Sequence, residues 1–124
     1  MIELKRITSD VEPKSFERLG NGSYYYNYDI KFEGTIIREE EEVPQWSFVQ
    51  VLIYGYPTYE DCVPAIIRAG VSLNEEFNII NSYNKEILLN TENEGPATIA
   101  YKEYLAFVDE VKEKTREAFN KLEE

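Results

Sequence analysis

The segment that most restricts the fold is Gln45–Tyr54, QWSFVQVLIY, bounded by Pro44 on one side and Gly55-Tyr56-Pro57 on the other. Ten residues rich in aromatic and β-branched side chains, closed at both ends by chain breakers, read as a strand. Alternation puts Trp46, Phe48, Gln50, Leu52 and Tyr54 on one face and Ser47, Val49, Val51 and Ile53 on the other. Both faces are largely apolar, so this is the central strand of the fold, more buried than its neighbour, with helices crossing one face.

The segment before it supplies a neighbour. From Tyr24 the chain alternates, with Tyr24, Tyr26, Tyr28, Ile30 and Phe32 on one face and Tyr25, Asn27, Asp29, Lys31 and Glu33 on the other. Gly34 marks a bulge or a close backbone approach, and Thr35-Ile36-Ile37 extends the strand. Arg38–Val43 reads as a loop, so the two segments form a long antiparallel hairpin, 24–37 with 45–54. Residues 2–7 offer a third strand or an extended arm. Thr8–Arg18, which contains Pro13, reads as a loop with a helical turn carrying Phe16 and, just beyond, Leu19 toward the core. Gly20-Asn21-Gly22-Ser23 is a turn. It has neither the length nor the lysine of a phosphate-binding loop and precedes a strand.

After Pro57 the period becomes helical. Thr58 caps a helix that Gly70 closes, with Val63, Ile66 and Ile67 inward; Pro64 is too deep for a start at Tyr59 and implies either a start nearer Asp61 or a kink. Ser72-x-x-Glu75 is a capping box with Val71 placed as a staple, opening a helix to about Asn84. Its expected buried stripe is Leu73, Phe77, Ile80 and Asn84, with Ile79 and Tyr83 beside it. Lys85–Pro96 reads as a connection pinned by Ile87, Leu88 and Leu89, with an exposed turn at Asn90–Gly95. The last helix, Thr98–Leu122, repeats Tyr101, Leu105, Val108, Val111, Thr115, Phe119 and Leu122 at helical spacing. The expected architecture is one α+β domain over residues 1–124: an antiparallel hairpin or three-stranded sheet in the N-terminal half, packed against about three C-terminal helices.

Charge narrows the partners. The 24 acidic and 13 basic residues give a formal charge of −11, which repels nucleic acid and an anionic membrane face. Residues 39–62 carry six acidic and no basic side chains, so the negative field is strongest there. The sequence has no signal run and no stretch of spanning length, and the expected location is the cytoplasm or a particle assembled there.

Chemistry-bearing patterns are few. The chain has no histidine, which removes the commonest base and metal ligand and excludes Ser-His-Asp and Cys-His systems. The single cysteine, Cys62, lies among apolar neighbours and reads as packing. Glu39–Glu42 lacks the ligand spacing of a calcium loop and reads as a solvated hairpin tip. Asp29, Glu33, Glu60 and Asp61 are the carboxylates that could form a pair, although among 24 acids such a pair carries little information. No catalytic, metal or cofactor residue is assigned. The ten tyrosines are more informative, because tyrosine provides rigid amphipathic contact area. Tyr25, Trp46, Tyr54, Tyr56 and Tyr59 are the expected contact residues, with Arg68 and Glu39–Glu42 as charge partners. The expected function is non-enzymatic protein–protein contact or self-association; the alternative is a small-ligand or carbohydrate-binding module using the same tyrosines.

Residues 46–119 also carry a resemblance. Ala65-Ile66-Ile67-Arg68, Glu75-Glu76, Ile79-Ile80-Asn81 and Tyr101–Lys112, in that order after Trp46, resemble small proteins and C-terminal modules encoded among phage tail genes and prophages, including those of gut Bacteroidales. The resemblance implies a virion-associated or tail-assembly role without catalysis.

Overall fold

The paired segments do form a hairpin, longer than the sequence suggests. In the computed structural model, which describes residues 2–89 and 95–122, β3 (Ser23–Arg38) and β4 (Glu41–Tyr54) run antiparallel at the centre of a four-stranded sheet. Two short strands flank them, β1 (Ile7–Ser9) on β4 and β2 (Phe16–Arg18) on β3, giving the order β1-β4-β3-β2 with every pair antiparallel. Helices α1 (Tyr59–Gly70), α2 (Leu73–Leu88) and α3 (Pro96–Leu122) follow. The described residues thus form an α+β fold, a four-stranded antiparallel N-terminal sheet packed against three C-terminal helices.

Several local expectations are corrected. The third strand is Ile7–Ser9 and not residues 2–7, and the segment expected to turn helically forms β2 instead. The loop at Arg38–Val43 shrinks to the two residues Glu39-Glu40, both at positive φ (49° and 68°), because Glu41–Pro44 pair with Thr35–Arg38. Both central residues in the left-handed region is the type I′ arrangement that matches strand twist in two-residue hairpins. Pro44 is tolerated because β1 reaches only to Trp46, leaving β4 an edge strand there.

The alternation of β3 also breaks. Tyr28 pairs with Val49 and Lys31 with Ser47, so β3 carries one extra residue between them; a second is inserted between Phe32 and Gly34. Each insertion has a residue at positive φ, Asp29 at 53° and Gly34 at 97°. Directly paired residues share a face. Tyr24, Tyr26 and Tyr28 therefore lie with Ile53, Val51 and Val49 toward the helices, whereas Phe32 pairs with Trp46 on the opposite face. The single continuous face expected through Ile30 and Phe32 does not exist.

The core lies between this sheet face and helices α1 and α3. Tyr26, Tyr28, Val49 and Ile53 meet Cys62, Val63, Ile66, Ile67 and Val111. Phe16 stacks on Tyr26 (centroids 5.1 Å) and meets Phe119 at a tilt of 44° (4.8 Å). The Tyr26 hydroxyl and Thr115 Oγ1 share a buried hydrogen bond of 2.9 Å, which satisfies both inside an apolar layer. On α1 the Thr58 oxygen accepts from the Asp61 amide, and the helix runs from Tyr59 with Pro64 inside it, the proline exposed and so clear of the core. On α3 the buried residues are Tyr104, Val111 and Thr115, while Leu105 and Leu122 of the expected stripe are exposed.

Helix α2 departs furthest from expectation. Its capping box is present, but it extends to Leu88 and contains no fully buried residue. Ile79, Ile80 and Tyr83 are half-buried, and Tyr83 stacks on Tyr101 of α3 at 4.3 Å. Leu73 and Phe77, expected in the core, are exposed, and so are Ile87, Leu88 and Leu89. Polar contacts anchor the helix. Glu76 accepts from Arg68 of α1 (3.1 and 3.2 Å) and from the Tyr104 hydroxyl of α3. Glu86 Oε2 accepts from the amide and hydroxyl of Thr98 (2.7 and 2.6 Å), capping a helix whose own first turn has no acid. Of the turn expected at Asn90–Gly95, residues 90–94 lie outside the described residues.

Candidate functional site

Two places gather chemistry-bearing side chains. The first is built on the bulge at Asp29. The bulge turns this residue out of the ladder, and Asp is among the residues that accept positive φ. Its carboxylate receives Arg6 Nη1 at 3.0 Å, Lys114 Nζ at 3.1 Å and Lys31 Nζ at 3.4 Å, while Arg6 also donates to the Asp29 carbonyl. Arg6 bonds Ser47 through Nε (3.1 Å) and its carbonyl through Nη2 (3.0 Å), and the Ser47 hydroxyl donates to Glu33 at 2.6 Å. Lys114 reaches Glu110 at 2.7 Å and lies 5.8 Å from the centre of the Tyr28 ring. One carboxylate thus ties the N-terminal arm, the sheet and α3 together. Partial burial would raise the Asp29 pKa, but the hydrogen bond and charge of Lys114, with Lys31 and Arg6, outweigh it and hold the carboxyl below its ordinary value. Of the four candidate carboxylates, Asp29 and Glu33 are joined through Ser47 and Arg6, whereas Glu60 and Asp61 lie exposed in the first turn of α1. An acid held ionised by three cations is a poor proton donor near neutrality.

A cavity of about 450 Å³ opens beside this cluster, with Ile2, Leu4, Tyr28 and Phe107 on its apolar side and Arg6, Glu103, Glu110 and Lys114 on its polar side. The cations that reach it are already engaged by Asp29 and Glu110. The cluster is a structural clamp. Cys62 is also structural: it is buried, and desolvation followed by the Asp61 charge pushes its thiol up to about 12. Among the described residues, no group of three or more potential ligands is placed to hold a metal ion.

The second place is the end of the sheet around Gly55, whose φ of 84° turns the chain out of β4. Tyr54 and Tyr56, on either side of it, are 81% and 76% exposed. Tyr56 meets the edge of the Tyr24 ring (5.7 Å, 71° between planes). Together with Phe16, Pro57, Phe119 and Leu122, these two rings line a narrow slot of about 100 Å³. Tyr54 and Leu52 face a wider, shallower groove of about 300 Å³ whose other wall is Asp61, Pro64, Ala65 and Arg68 of α1. β1 does not reach this part of β4.

Comparison with protein-family models, with curated proteins and with solved structures finds no match for this chain. The functional reading therefore rests on the molecule's own geometry.

The structure distributes the expected contact residues. Tyr54 and Arg68 border one groove, and Tyr56 borders the slot. Trp46 is half-buried with its ring 5.0 Å from Phe32, eight residues and so about 25 Å along the strand from Tyr54. Tyr25 is half-buried between Leu52 and Glu17 in neighbouring strands. Tyr59 is half-buried against the core, with the Arg116 guanidinium 5.7 Å from its ring centre. Arg68 is committed to Glu76. Glu39–Glu42 are exposed at the hairpin tip. Tyr24 and Phe16 are parts of the slot that the sequence does not disclose: the strand alternation turns Tyr24 inward, the expected helical turn takes Phe16 to the core, and neither hints at an opening.

Proposed function

We propose that this chain is a non-catalytic binding domain whose ligand lies on the tyrosines around Gly55. The observation that carries this reading is the contrast in exposure. Tyr26 and Tyr28 are taken into the core, while Tyr54 and Tyr56 on the neighbouring segment present nearly whole rings to water. A narrow aromatic slot flanked by exposed tyrosine faces suits a ligand with flat apolar surfaces and polar edges, such as a short neutral carbohydrate. The absence of histidine and the ionised state of Asp29 support a role in binding over one in catalysis. The test is titration of the isotope-labelled protein with neutral oligosaccharides, followed by amide NMR shifts. Shifts centred on Tyr24 and residues 54–57, weakened about tenfold or more by Tyr56→Ala, are expected. Shifts elsewhere, or none with any sugar, would dismiss it.

A second reading, contact with a protein partner, is favoured by the distal hairpin. Beyond Trp46 the sheet is only two strands wide, and Phe32, Ile36 and Ile37 are exposed on it. In this reading the resemblance of residues 46–119 to phage-tail proteins supports a virion-associated or assembly role. A gene neighbourhood without tail or capsid genes would count against that context.

A further inference from the structure

Helix α2 shows an amphipathic pattern whose apolar side faces away from its own chain. At about 100° per residue, Ile87, Ile80, Leu73, Asn84, Phe77, Leu88, Asn81 and Asn74 fall within an arc of about 140°. None of the eight is charged in a chain that is 30% charged. Glu76 and Lys85 bound the arc. Glu76 is turned to Arg68 and Tyr104, and Glu86, on the opposite side of the helix, to Thr98. Leu73 is 51%, Phe77 54% and Leu88 82% exposed. The side of α2 that meets α3 is a different one, carrying Glu76, Ile79 and Tyr83, and it accounts for the helix's attachment to the fold.

Within the outward arc, Leu73, Phe77, Ile80, Asn84 and Ile87 are spaced by four, three, four and three residues. That is the heptad seam by which one helix packs on another of its own kind. A single asparagine within such a seam, as Asn84 is, costs stability and sets register.

We propose that two copies of this chain associate through this face, α2 of one against α2 of the other. The occupant follows from charge. Two chains each carrying −11 repel across most of their surfaces, and a second copy can approach without placing like charges opposite one another where the meeting surface has none. A basic partner would be drawn to the acidic surfaces instead. The area is modest: four exposed apolar side chains and the half-buried Ile80 of each copy bury roughly 1,000 Å² in the pair, the lower end for a specific interface, and the association is expected to be of the order of micromolar. It uses a surface separate from the tyrosines at Gly55.

Sedimentation equilibrium of the full chain from about 5 µM to about 500 µM tests this, at low and at about 0.5 M salt. A monomer–dimer equilibrium is expected, tighter at high salt as the general repulsion is screened. Phe77→Glu, an exposed position whose change leaves the circular dichroism intact, weakens the dimer about 100-fold or more by opposing two like charges at the seam. Asn84→Leu tightens it about tenfold or more. A monomer throughout, a dimer that Phe77→Glu does not weaken, or an unchanged affinity for Asn84→Leu overturns the proposal.

Discussion

Replacing Asp29 by Asn removes one negative charge and changes little else. Asparagine accepts the same positive φ and keeps a carbonyl oxygen for Arg6, so neither backbone nor packing need move. What it loses is the counter-ion shared by Arg6, Lys31 and Lys114. Breaking a fully buried ion pair costs about 3–5 kcal/mol and an exposed one under about 1 kcal/mol. The Asp29 side chain is largely covered, but its cations still reach water, which places the cost at about 2 kcal/mol, or a fall in Tm of about 8 °C for a chain of this length. The folded-state pKa of Asp29 lies below its ordinary 3.8. Its contribution is therefore complete above that value and is lost as pH falls through the lower, folded pKa. Urea unfolding of both proteins from pH 7 down to about pH 2 should show a steady gap above about pH 5 that closes on the acid side. A gap under about 0.5 kcal/mol at pH 7, or one of the same size at pH 2, would refute the clamp.

Tyr26→Phe strands the buried Thr115 hydroxyl and should cost about 1–2 kcal/mol in urea unfolding, whereas adding Thr115→Val recovers part of the loss, a cycle that no recovery would contradict. Replacing Glu39-Glu40 by Asn-Gly supplies the residues a type I′ turn prefers and should stabilise the hairpin tip by about 0.5–1 kcal/mol, read as slower hydrogen exchange of the amides in Ile36–Val43.

The strands and helices were legible where pattern and burial coincide. Gln45–Tyr54 is strand throughout and ends before Gly55, although β4 begins earlier and runs through Pro44, and Ser72 and Glu75 form the box their spacing announces. Of the two insertions in β3, Gly34 announces the second, whereas Asp29 looks like an ordinary polar position in an alternating strand and nothing local marks the bulge there. At the hairpin tip four consecutive glutamates resemble a loop, although the last two pair across the ladder. On α2 the expected buried stripe is exposed at Leu73, Phe77 and Asn84: these residues have the spacing of a buried face, but α3 occupies another side of the helix. The slot at Tyr24 and Tyr56 depends on the turn at Gly55 and on Phe119 arriving from α3, a meeting of segments far apart in sequence.

The two inserted residues make the central strands unequal in their tolerance of length change. β3 carries slack at Asp29-Ile30 and at Glu33, so the loss of one residue there can be taken up locally, with Thr35 still opposite Pro44 and the tip undisturbed. β4 has no such reserve. Removing one residue between Val43 and Val49 would put the distal rungs out of step with those nearer the body, so natural variants of this chain should gain and lose residues in one strand and hold the count constant in the other.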